Sequence, residues 1–374
     1  MRIRRMRVAF AARSRRDNIV KRSRRKRYVA RRKKQLYYSG ANRMAARSYS
    51  PSGGMERLAL KGGRSAAADE GSRSCDHMQQ SFNTWYMEQI AGTRMGYSSL
   101  LRISRAFVHG YADRDSTLSG YIPLPLAKTA GAVVVASNER ETLNKVLTEL
   151  MRLPFGEIIV VLNGCSDGSF TSLMNHPRLI KLSFPERLGH DVGRALGAMI
   201  TTQDTVLFVD GDLPLPAEDL GAFLLAIEQG SDVALNNITP FLPSFMRQDS
   251  VTHSKVFLNM SLGRADLLAN SLTAVPHALS RRAIDTLGHA SLVVPPKAHA
   301  LALVNELTVT APYSVNVLKN NRIRSTNTGR GNVMGGLIIG DHIEALAEVM
   351  KIYGPRLKFT RMSRSVLAKV RNGS

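Results

Sequence analysis

From residue 129 onward the sequence predicts an α/β fold, a mostly parallel sheet with helices on both faces. Three observations carry this. Short apolar runs alternate with helical stretches that keep one apolar side. The runs are apolar at successive positions, as strands buried on both faces are. The fourth run closes on paired carboxylates, Asp210-Gly211-Asp212, at the strand end where open parallel sheets bind ligands.

The elements follow in order. Ala132–Ala136 is the first strand. Glu139–Met151 reads as a helix, with Leu143, Val146, Leu147 and Leu150 on one side. Glu157–Leu162 is a second strand, followed by the turn-rich Asn163–Ser169. Leu179–Phe184 is a strand, Gly189–Thr201 a helix, and Thr205–Val209 the strand that ends at the Asp pair. Pro216–Gln229 is helical and Asp232–Ile238 is another strand. Late in the chain, the apolar Leu337–Gly340 precedes a helix over Ile343–Tyr353, with Asp341 expected as its N-cap.

Upstream the character differs. The chain has 374 residues, 44% hydrophobic, with a net charge of +23. Residues 1–128 hold 28 Lys+Arg against 8 Asp+Glu, whereas residues 129–374 hold 24 against 21. The basicity belongs to a low-complexity arm over residues 1–50, which includes Lys21-Arg22-Ser23-Arg24-Arg25-Lys26-Arg27. Charge repulsion and few apolar residues predict a largely disordered N-terminal arm. Such an arm is either a solvated tail or an electrostatic attachment to a polyanion. An anionic membrane surface and nucleic acid both fit the charge, with too few interleaved aromatics for base stacking. Initiation at Met44, Met55 or Met78 would remove some or all of it. Residues 51–75, rich in Gly, Ser and Ala, read as a linker, and 76–112 as helical. The expected organisation is therefore arm and linker (1–75), helical connector (76–128), catalytic-type domain (129–355) and basic tail (356–374).

Two cysteines, Cys75 and Cys165, imply no disulfide framework. No apolar run reaches the length of a membrane span. The expectation is a cytoplasmic protein, peripheral at the inner face of the membrane if the arm binds there.

The first strand ends in Ala136-Ser137-Asn138-Glu139-Arg140, without the glycines of a dinucleotide-binding loop. Paired carboxylates at Asp210 and Asp212 suit Mg²⁺ or Mn²⁺, which bind through one or two carboxylates plus substrate phosphates.

Four blocks then fall in order. They are Val133–Glu139, Glu157–Ser169, Arg187-Leu188-Gly189 with Gly193-Arg194 and Gly197, and Val209–Asp212. Together they resemble a family 2 (GT-A) glycosyltransferase, whose core is a Rossmann-like, mostly parallel sheet. The resemblance implies transfer of a sugar from a nucleotide-diphosphate donor to an acceptor hydroxyl with Mn²⁺ or Mg²⁺ as cofactor. It places Asn138, Glu139, Asn163 and Asp167 around the nucleoside, Arg194 near the diphosphate, Asp210 at the ribose or metal, and Asp212 on the metal. His342 is a further metal ligand by analogy with the late His of some GT-A enzymes. Asn320–Arg330, with Arg322, Arg324 and Arg330, would close over the phosphates as a basic lid.

The chain also departs from that pattern. Leu162-Asn163 stands where the family usually has two Asp, and Ser137 where an aromatic is common. The place expected to supply the acceptor-activating acid reads Leu292-Val293-Val294-Pro295-Pro296-Lys297, without a carboxylate. Asp249, Asp266, Asp285, Glu306 and Asp341 are candidates for that role by type. The Gln-x-x-Arg-Trp motif of processive synthases is absent. Inverting and retaining mechanisms both stay open. The alternative function is a non-catalytic GT-A module whose basic arm binds a polyanionic surface or nucleic acid.

Overall fold

The computed structural model describes residues 53–68, 73–90, 92–93, 95–112, 117–317, 333–359 and 362–373. The arm of residues 1–50 and the expected lid arginines Arg322, Arg324 and Arg330 lie outside the described residues. The chain first forms helices α1 (Gly54–Ala68), α2 (Cys75–Gln89) and α3 (Tyr97–Ala112). Next come β1 (Ala130–Ala136), α4 (Leu143–Leu150), β2 (Glu157–Asn163), the single turn α5 (Ser169–Ser172), β3 (Leu179–Phe184), α6 (Val192–Ile200) and β4 (Thr205–Asp210). These are followed by α7 (Ala217–Glu228), β5 (Val233–Asn236), α8 (Ser250–Ser261), β6 (His277–Ser280) and α9 (Arg281–Leu287). The last elements are α10 (Pro295–Val304), β7 (Val309–Tyr313), α11 (Val333–Tyr353) and α12 (Arg364–Asn372).

The strands form one sheet in the order β3-β2-β1-β4-β6-β5-β7. β1 pairs in parallel with β2 and β4, β2 with β3, and β5 with β7, while β6 runs antiparallel between β4 and β5. The mostly parallel α/β class expected from the sequence is therefore the fold observed. The chain winds outward from β1 to β3 and then crosses back to place β4 on the other side of β1. That reversal opens a crevice at the carboxyl ends of β1 and β4, where such sheets bind ligands.

Period-two alternation divides the strands between two cores. Ala132, Val134, Ile158, Val160 and Leu207 face one core, together with Met78, Phe82 and Phe107 from α2 and α3. Val133, Ile159, Val161, Val206 and Phe208 face the other, with Ala195 and Ala198 of α6. Two glycines set how closely α6 lies on the sheet. A Cβ at Gly197 would stand 2.3 Å from Val133 Cγ1, and one at Gly193 would stand 2.8 Å from Val135 Cγ1.

Three sequence expectations are corrected. Residues 51–75 hold helix α1 where a linker was expected. Its small residues serve close packing: a Cβ on Gly63 would meet the Phe107 carbonyl oxygen at 2.0 Å, and one on Gly110 of α3 would meet that of Leu60 at 2.2 Å. Tertiary contact here overrides weak helix propensity. The same helices share the core of the sheet, so 76–112 is more than a connector. Finally, α11 begins at Val333, which leaves Asp341 in mid-helix instead of at an N-cap.

Gly197→Ala should destabilise the fold by about 1–3 kcal/mol through overpacking against Val133. Gly336→Ala, on an open face of α11, should be neutral or stabilise by roughly 0.5–1 kcal/mol. Urea unfolding of both variants checks the pair; equal effects would contradict the close approach of α6.

Candidate active site

Each expected site residue lies at or beside the carboxyl edge of β1, β2 and β4, apart from His342. Asn138 follows β1 with φ of 61°, in the left-handed region that Asn tolerates. Its Oδ1 accepts from the Ser166 N–H at 2.8 Å, and its own N–H donates to Cys165 Sγ at 3.4 Å. The loop after β1 is thereby tied to the loop after β2. Asp167 strengthens the tie. Its carboxylate accepts from the N–H of Arg140 and of Ser169, both at 2.9 Å, and from the Ser169 hydroxyl. Burial raises the Asp167 pKa, but the bonds from Ser169 and Arg140 outweigh it and hold the carboxyl below its usual range. Glu139 is buried, and its carbonyl accepts from the Leu143 N–H at 2.9 Å as α4 begins.

Asn163 explains one departure from the family pattern. Its Nδ2 donates to the Gly189 carbonyl at 2.7 Å, and its Oδ1 accepts from the Leu188 N–H at 2.8 Å. An amide can make both bonds, whereas a carboxylate only accepts. Its side chain therefore positions the Leu188-Gly189 loop that leads into α6.

That helix delivers Arg194, buried between two carboxylates. Arg194 stands 2.7 Å from Asp191 and 3.3 Å from Asp210. Burial lowers its pKa, but Asp191 and Asp210 more than restore it, so the guanidinium stays charged. Behind it lies His277, stacked on Phe208 with ring centroids 5.2 Å apart. Burial, together with the Arg194 charge, pushes His277 down to about 3.

The Asp210-Gly211-Asp212 turn is fixed from two sides. The Gly211 N–H donates to the Val135 carbonyl at 2.8 Å, and the Thr142 hydroxyl donates to the Gly211 carbonyl at 2.8 Å. A Cβ at Gly211 would stand 2.8 Å from that of Ala136, so glycine lets the turn sit against β1. Asp210 and Asp212 are both half-buried, with 35% of the Asp210 side chain exposed. No group of three or more His, Cys, Asp or Glu positioned to hold a metal occurs among the described residues. These carboxylates fit a cation whose coordination a diphosphate completes, as Mg²⁺ and Mn²⁺ sites do.

His342 does not join them. Its ring is buried, Nδ1 contacts the Ile338 carbonyl at 2.7 Å, and the Lys255 charge acts on it. Lys255 belongs to α8, so the imidazole lies in the packing of α11. His299 of α10 is buried beside it, pushed down to about 3 by burial and then by His342.

Four carboxylates proposed by type are engaged elsewhere or stand apart. Asp249 caps α8 through the Thr252 N–H at 2.8 Å, Asp266 pairs with Arg264 at 2.8 Å, and Asp285 lies 3.9 Å from Arg281. Glu306 is exposed in a turn after α10. Asp341 differs. Burial raises its pKa, and the charges of Asp191 and Glu344 raise it further against the pull of His190. Two of the charges that act on it, Asp191 and His190, belong to the residues flanking the start of α6. Glu344, one turn along α11, pairs with Lys297 at 3.1 Å.

Sequence reasoning missed Asp191, His190 and Thr142. Asp191 had a signal in its position three residues before Arg194; Thr142 had none, because its contact with Gly211 is long-range.

The four blocks around this crevice agree with the comparisons. Residues 132–283 match the model for Glycosyl transferase family 2. The chain carries a family 2 glycosyltransferase domain. Among solved structures, this chain is similar to glucosyl-3-phosphoglycerate synthase from Mycobacterium tuberculosis in complex with Mn²⁺, UDP and phosphoglyceric acid. The identity is 15%, with a TM-score of 0.42, over 59% of this chain and 78% of that one. The mannosyltransferase PcManGT from Pyrobaculum calidifontis, in complex with GDP-Man and Mn²⁺, is 13% identical with a TM-score of 0.36, over 85% and 91%. S. aureus TarS 1-349 is 15% identical with a TM-score of 0.34, over 62% and 76%. No curated protein matches the chain. No helix among the described residues is long and apolar enough to cross a membrane.

Removing Arg194 should leave Asp191 buried without its cation. Arg194→Met is expected to cost roughly 3–5 kcal/mol, read by urea unfolding, and Asp191→Asn in the same background should recover part of the loss. Stability should also fall with acid. His277 and His299 stay neutral when folded, while the unfolded chain takes up protons below its ordinary His pKa. Each therefore removes about 1 kcal/mol between pH 7 and 5.5, and His299→Gln should flatten the curve by one such increment.

Proposed function

We propose that this chain transfers a sugar from a nucleoside-diphosphate donor to an acceptor hydroxyl, with Mn²⁺ or Mg²⁺ held by Asp210 and Asp212. The observation that carries the reading is the Asp191–Arg194–Asp210 network at the crevice between β1 and β4. The acceptor oxygen forms a bond to the anomeric carbon as the bond from that carbon to the diphosphate oxygen breaks. A divalent cation held by Asp210 and Asp212 would supply charge neutralisation for the departing diphosphate. Arg194 orients Asp210 through their ion pair. The loops tied by Asn138, Asn163 and Asp167 shape the nucleoside side, with Glu139 beneath them.

The acceptor hydroxyl must also lose a proton. In this reading Asp341 receives it. Lys297 occupies the place expected to bear an acid, Glu344 of α11 pairs with it, and one turn earlier on α11 the Asp191 charge acts on Asp341. A carboxyl whose pKa is raised is a better proton acceptor near neutral pH.

Two measurements test this. Mn²⁺ with UDP or GDP should raise the melting temperature of the wild type, since a ligand that binds only the folded state stabilises it by mass action. Asp212→Ala should abolish the metal-dependent part; no metal-dependent shift with any nucleotide would instead favour a non-catalytic module. Asp341→Asn should lower kcat at least about 100-fold while leaving the nucleotide-induced shift intact, and an unchanged kcat would remove Asp341 from the mechanism.

A further inference from the structure

The face formed by α8 and the residues just after α11 exposes apolar side chains that glycosyl transfer does not use. Phe245 lies tilted against His253 of α8, with ring centroids 4.7 Å apart. One turn along the same helix, Phe257 lies 6.2 Å from Phe359, and Met260 continues the stripe. Phe257 is 50% exposed and Phe359 55%. Phe359 is held in place. Leu357 beside it is buried, and the Lys358 N–H donates to the Ser261 carbonyl at 3.0 Å.

Helix α12 follows, capped by Ser363, whose hydroxyl accepts from the Val366 N–H at 3.3 Å. None of its residues is buried. Val366 and Val370, one turn apart, share a face and are 45% and 63% exposed. Arg364, Lys369 and Arg371 supply the rest of its polarity. Residues 349–374 contain seven Lys+Arg and no Asp or Glu. On the neighbouring elements, Glu348 is paired with Lys351 and Asp249 caps α8.

Exposed apolar stripes of this kind mark interaction surfaces. Their setting in a purely basic segment specifies the partner's chemistry. Nucleic acid would use the cations and leave Phe257, Phe359, Val366 and Val370 without a role. An anionic bilayer uses both, because phosphates attract the lysines and arginines while the apolar face enters the headgroup boundary. We propose that the α8 stripe, Phe359 and α12 form a docking surface for an anionic phospholipid bilayer. The contact is interfacial, adds to any attraction by the basic arm, and is independent of the glycosyl-transfer reading.

Vesicle sedimentation of the full chain tests it, with pure phosphatidylcholine against phosphatidylcholine containing phosphatidylglycerol, at physiological salt. The wild type should bind the anionic vesicles and not the neutral ones. The triple variant Phe359→Ser, Val366→Ser, Val370→Ser should lose at least about tenfold in partitioning, with unchanged circular dichroism and unchanged nucleotide-induced thermal shift. Val370→Trp should add a fluorescence component that moves to the blue on mixing with anionic vesicles. Triple-variant binding equal to wild type would assign the attraction to the basic arm and overturn the proposal. Absence of wild-type binding, or an unshifted Val370→Trp component, would overturn it as well.

Discussion

The candidate site depends on one buried cation. Arg194 is shielded from water and balanced by Asp191 on its own helix and Asp210 at the end of β4. Desolvating a guanidinium is costly unless its partners are in place. The arrangement therefore requires α6 to lie close to the sheet, which Gly193 and Gly197 allow by leaving room for Val135 and Val133. It also requires the Leu188-Gly189 loop to be held, which the Asn163 amide does from β2. A packing constraint on one face of the sheet thus becomes an electrostatic condition at its edge.

Much of this was legible in the sequence, because buried parallel strands write themselves as continuous apolar runs. The Leu179–Phe184 strand coincides with β3, and Thr205–Val209 falls one residue short of β4. What stayed hidden was of two kinds. Close helix contacts made through glycine look like breakers in sequence, which is why α1 read as a linker although Gly63 packs against Phe107. Long-range polar contacts leave no periodic trace, so neither the Thr142 bond to Gly211 nor the effect of the Asp191 charge on Asp341 could be read from spacing. His342 shows the reverse error. Its residue type suited a metal, but its helical phase turns the ring into the packing of α11, where its partner is the Ile338 carbonyl.

The departures from the family pattern fit together physically. Asn163, in place of a carboxylate, bonds a carbonyl and an amide at once. Lys297, in place of an acid, recruits Glu344 from α11. In both cases the changed side chain finds its partner on another element.

The glycine contact between α1 and α3 has a mechanical consequence. The two backbones meet without intervening side chains, and α3 is anchored to α7 in turn, where the Tyr97 hydroxyl donates to the Glu218 carbonyl at 2.6 Å. Force applied at Gly54 would pass from α1 through α3 to α7, which packs on the sheet. A load on α1 would therefore turn the crevice with it, as a fixed handle turns a tool head.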